Sequence, residues 1–111
     1  MAATQEDAKL IVDLAQWGAM MDLGAALGEV FDEDFDPETA SANDGALRTL
    51  LYFMETVGTL VKNDLLDRDL VLDWLWVAGA WERVGPAALR AREQFSPALY
   101  ENFETLAKAQ T

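Results

Sequence analysis

Apolar residues recur along this chain at helical spacing almost from end to end. Leu10, Leu14, Trp17 and Met21 follow one another at steps of four, three and four, the stripe of one helical face. Thr4 followed by Asp7 forms a capping-box pattern with Asp in place of Glu, which predicts the start of this first helix. Gly18, Ala25 and Gly28 lie on or beside the stripe, where small residues allow another helix to approach, while Gly18, Gly24 and Gly28 weaken the helix and predict a bend or split near them. The pattern fades into FDEDFDPET, residues 31–39, where Pro37 disfavours a helical conformation at Asp36.

A second helix is predicted from just after Asn43 or Asp44 to about Lys62, with Leu47, Leu50, Leu51, Met54, Val57 and Val61 on one side and Asn63-Asp64 as its stop. Asp67 caps a third, whose stripe is Leu70, Trp74, Val77 and Trp81 and whose end is predicted at Gly85-Pro86. Pro86 also suits the first turn of the short segment AALRAREQ, and Ser96-Pro97 marks the start of a last helix carrying Leu99, Phe103 and Leu106. No run alternates as a strand does. These elements predict an all-α, single-domain bundle of four to five antiparallel helices over residues 1–111, with an acidic loop at about 32–44 between the first and second helices.

Composition narrows the chemistry. With neither Cys nor His in 111 residues, thiolate nucleophiles, His-based triads and the commonest transition-metal ligands are excluded. The N-terminal stretch has no basic start and no long apolar run, so no signal or anchor is expected, and the cytoplasm is the expected compartment. The net charge of −12 is uneven: residues 1–44 hold eleven of the twenty acidic residues and one base, Lys9. A surface built from that part would repel nucleic acid and anionic lipid and favour a basic partner.

Asp32, Asp34 and Asp36 occupy the first, third and fifth positions of an EF-hand-like loop, but Pro37 stands where the turn glycine is needed and Asn43 where a bidentate Glu is needed. An acidic helix end running into a solvated loop accounts better for the stretch. Glu29 and Glu33, four apart, with Asp32 and Asp36 nearby, would need a second acidic helix facing them to serve a magnesium-dependent nucleotide-processing enzyme; Asp69 and Asp73 could supply it, but so could any surface helix of an acidic protein.

The third helix carries an oddity. Trp76 points away from the core stripe, among Leu72, Arg83, Asp69 and Asp73. Burial under the last helix or the 31–44 loop, in part within a homodimer, is the simpler reading; the functional one makes Leu72, Trp76 and Arg83 a contact patch, since Trp and Arg anchor interfaces. Arg83, Arg90 and Arg92 are expected as surface ion-pair partners, and Arg48, Glu55 and Lys62 with Tyr52 as a solvated edge on which only burial of Glu55 would mark a site.

The segment YFMETVGTLVKNDLLDRDLVLDWLWVAGAWERVGPAALRAR, followed by LYENFETLA, resembles a family of small bacterial all-helical domains of unknown function. Phe53, Glu55 and Gly58, the turn Leu65-Leu66-Asp67, Trp81 before Pro86, Arg92, and the pair Tyr100 and Phe103 carry the resemblance, over the C-terminal 60% of the chain. It implies a helical fold and no catalytic residue. Some relatives carry a membrane helix ahead of the domain, which this sequence lacks, implying a soluble version.

The expectation is therefore an acidic all-helical protein-interaction module that self-associates, needs no cofactor or metal, and binds neither nucleic acid nor membrane. Its surfaces would be Leu72, Trp76 and Arg83, or the acidic array of Asp22, Glu29, Asp32, Glu33, Asp34, Asp36 and Glu38 facing a basic partner. The alternatives are a nucleic-acid-mimicking inhibitor that presents the same array, and the metal-dependent enzyme.

Overall fold

The computed structural model describes residues 2–110. Six helices are present, α1 (Gln5–Met20), α2 (Leu23–Val30), α3 (Gly45–Lys62), α4 (Arg68–Trp74), α5 (Val77–Gln94) and α6 (Glu101–Ala109), and no strand among the described residues. α1 begins at the predicted box: the Asp7 amide donates to Thr4 Oγ1 at 3.2 Å and the Asp7 carboxylate accepts from the Thr4 amide at 2.8 Å. The expected split falls between the glycines rather than at one of them. Asp22 takes the left-handed conformation (φ 57°), which the short side chain of Asp tolerates, and α2 leaves α1 at 73°.

α3 runs through the centre and packs most extensively on α2 and α6. Covered on two sides, it buries more than its predicted stripe: Leu47, Leu50, Leu51, Met54 and Val57 are joined by Phe53 and Gly58. α5 and α6 close the core with Val77, Ala80, Val84, Ala88, Phe103 and Leu106. No single helix among the described residues is long and apolar enough to cross a membrane.

The expected third helix is two helices, divided at a point with no glycine or proline. Leu75 is extended (φ −118°, ψ 137°) and Trp76 opens α5. Gln110, far along the chain, fills the gap: its Nε2 donates to the Leu72 and Leu75 carbonyls, each at 2.9 Å, and its Oε1 accepts from the Ala78 amide at 2.7 Å. Backbone groups orphaned by the break are thus satisfied by one side chain. Conversely, Gly85-Pro86 does not end a helix, since α5 continues through it to Gln94. Proline disfavours helix in the preceding residue partly by clashing with its Cβ, and Gly85 has none. Its bare backbone also receives the Trp81 ring, which a Cβ there would meet at 3.0 Å. Ser96-Pro97 begins only a turn; the last helix starts four residues later, after Tyr100 in the left-handed region (φ 61°).

Candidate interaction surface

Trp76 is 67% exposed, so burial, the simpler expectation, does not hold within the chain. Its ring stacks on Phe31, the residue that closes α2, with centroids 5.6 Å apart and planes 8° from parallel. It also lies against its own helix at Gly79, where a Cβ would collide with the indole. Phe31 is itself exposed. Together the two stacked rings form an exposed aromatic shelf across the α2–α5 junction.

The other members of the predicted patch do not join it as contact groups. Leu72 is partly buried against the core. Arg83 turns inward: Nε donates to the Val30 carbonyl and Nη2 to the Asp32 carbonyl, both at 2.8 Å, with a further bond to Phe35 at 3.3 Å, and its guanidinium lies 5.0 Å from the Phe35 ring. A cation on the last carbonyl of α2 also complements that helix's dipole. Two turns along α5, Arg90 donates to the carbonyls of Pro37 and Ala40. These arginines were expected as ion-pair partners. Arg83 and Arg90 spend their donors instead on carbonyls of the α2 end and of the loop after it, backbone acceptors that need partners where no helix ladder supplies them. Of these three arginines, Arg92 forms an ion pair among the described residues, with Glu104 at 3.0 Å.

The acidic residues divide by role. Asp32 Oδ1 accepts from the Asp34 amide at 2.8 Å and Asp36 Oδ1 from the Glu38 amide at 3.0 Å, so both carboxylates shape the loop's own turns. Asp22, Glu29, Glu33, Asp34 and Glu38 are exposed. Among the described residues no three acidic side chains gather as metal ligands would.

Glu55, expected on a solvated edge, is half-buried and bonds to the start of α6. Its Oε1 accepts from the Phe103 amide and its Oε2 from Asn102 Nδ2, both at 2.9 Å. α6 has no cap of its own, since Tyr100 supplies no side-chain bond, and Glu55 takes that place from α3. Gly58, one turn further on, admits the α6 backbone: a Cβ there would lie 2.6 Å from the Asn102 carbonyl oxygen. On the far side of α6, Trp81 meets Phe103 edge-on at 5.0 Å, and Arg92 lies over Trp81 while donating to the Leu99 carbonyl at 2.7 Å.

A family model described as "Domain of unknown function (DUF4760)" matches residues 3–110. The chain belongs to this family. The match takes in nearly the whole chain, α1 and the acidic loop included, and so extends well beyond the C-terminal 60% in which the resemblance was legible. No curated protein and no solved structure matches the chain. The residues that carry the resemblance have structural work: Glu55 caps α6, Gly58 lets it approach, and Trp81 and Arg92 of α5 pack against Phe103 and Glu104 of α6. They build the fold. Sequence reasoning missed Phe31 and Gln110, for which no local signal exists, and placed Glu55 on a solvated edge because the start of α6 that it caps lies 48 positions away and was expected at Ser96-Pro97.

Proposed function

We propose that this protein is a self-associating protein-interaction module, and that the Phe31–Trp76 shelf is its contact surface. The observation that carries the reading is an indole two-thirds exposed yet stacked on Phe31 and seated on Gly79. Aromatic anchors whose geometry is set in advance lose little entropy on binding and dominate interface energetics. An exposed aromatic pair can serve a two-fold contact in which each copy presents the same patch to the other. Dispersal of the carboxylates favours this reading over the metal-dependent enzyme, which needs them converged.

Light scattering tests it. The wild type is expected as a dimer and Trp76→Ala as a monomer of unchanged helical content by circular dichroism. A wild type that stays monomeric at every concentration reached would sink the reading.

A further inference from the structure

A second surface, sharing no residue with the shelf, lies where the C-terminal end of α3, the 63–67 turn, α6 and the segment around Thr4–Asp7 meet. They enclose an open groove of about 710 Å³. Its walls are fixed by bonds already described or close to them: Gly58 sets the approach of α6, and the Asp67 amide donates to Asp7 Oδ1 at 3.0 Å, tying the start of α1 to the start of α4. Between these walls lie Val61, half-buried, and Leu65, 63% exposed, over the buried Leu66 and Leu106.

Six acidic residues line this groove against two basic ones. Asp7 and Asp67 are committed to backbone amides. Glu6, Asp64 and Glu101 are exposed and have no ion-pair partner among the described residues. They come from three separate elements and do not gather as metal ligands would. An apolar bed with free carboxylates spread along it complements a ligand that carries apolar side chains and several separated cations. A compact ion offers neither, whereas an extended chain alternating Lys or Arg with Leu-like residues offers both.

We propose that this groove binds a short basic, partly apolar segment of another protein, its apolar side chains packed on Val61 and Leu65 and its cations facing Glu6, Asp64 and Glu101. Recognition here is independent of self-association through the shelf.

The probe is a fluorescein-labelled six-residue peptide of alternating Lys and Leu, titrated by anisotropy at about 0.1 M salt, where charges further than ~10 Å apart are largely screened. Saturable binding is expected to wild type and equally to Trp76→Ala. The triple variant Glu6→Gln/Asp64→Asn/Glu101→Gln, with helical content unchanged, should bind about tenfold or more weakly, a loss of about 1.4 kcal/mol or more. A control carrying the same charge change elsewhere, Glu29→Gln/Asp34→Asn/Glu38→Gln, should match wild type. The proposal is overturned if wild type shows no saturable binding, if the two triple variants weaken alike through diffuse attraction, if the groove variant keeps full affinity, or if Trp76→Ala loses the peptide and moves the site to the shelf.

Discussion

Replacing Gly58 with Ala should destabilise the protein, although the position lies inside a helix. In an ordinary helix interior the exchange is favourable by about 0.5–1 kcal/mol, because glycine loses more backbone freedom on folding. Here the added methyl would sit 2.6 Å from the Asn102 oxygen, 2.7 Å from its carbonyl carbon and 3.1 Å from the Phe103 nitrogen, all backbone atoms that no rotamer change can move aside. α6 must retreat, and the 2.9 Å bond from the Phe103 amide to Glu55 stretches with it. Overpacking costs about 1–3 kcal/mol and a weakened charge-assisted bond roughly 1 more, so the net loss after the helix gain is about 1–3 kcal/mol. Gly28 supplies the internal control: it is helical with open space where its Cβ would be, and Gly28→Ala should gain about 0.5–1 kcal/mol. Urea unfolding followed by circular dichroism gives both midpoints. If Gly58→Ala unfolds at the same or a higher urea concentration than wild type, the close approach of α3 and α6 is not what the glycine is for.

Glu55→Ala removes the cap of α6 and should cost about 1–3 kcal/mol, with faster amide hydrogen exchange concentrated in α6; uniform acceleration across all helices would contradict the assignment. Gln110→Ala leaves the Leu72 and Leu75 carbonyls and the Ala78 amide without partners and should lower the melting temperature, a loss of about 1–3 kcal/mol, whereas an unchanged melting temperature would mean water serves the break as well as the side chain does. Partial burial raises the Glu104 carboxyl, but bonding and attraction from Arg92 and Lys108 outweigh it, and the Thr4 amide bond draws the Asp7 carboxyl down, so both titrate below their ordinary values. A depressed carboxyl stabilises the fold fully above its unfolded pKa and progressively less as pH falls through its folded one. Stability should therefore fall with acid from the ordinary carboxylate range downward, and Glu104→Gln should flatten that slope; an equal slope in the variant would remove Glu104 as a contributor.

The helices whose signals are local were legible. Thr4 with Asp7 and Asp67 before Leu70 each place a side-chain acceptor within three residues of the amide it caps, and the structure contains both caps. What failed was set by distant partners. Nothing at Leu75-Trp76 marks a break, because the group that satisfies it is Gln110. Gly85-Pro86 carries the strongest stop signal in the chain, yet the Trp81 ring packed on Gly85 outweighs it. The same holds for the surface. Trp76 was legible as an aromatic out of register with the core, but its stacking partner Phe31 opens an acidic stretch read for its carboxylates, as charge and as a candidate metal loop. Arg83 and Arg90 read as cations in search of anions, and their fork of donors found carbonyls, whereas Arg92 did find its anion in Glu104.

The cap that Glu55 lends to α6 bears on how the chain reaches its native state. At nine residues, α6 is too short to persist alone in water, where isolated helices below about 12–15 residues are marginal. Its first turn is completed only by a carboxylate about 48 positions earlier. α6 therefore gains its order by docking rather than before it, and when α3 frays the cap leaves with it. Formation and loss of the two helices are coupled, so the C-terminal segment should melt with the central helix as one cooperative unit.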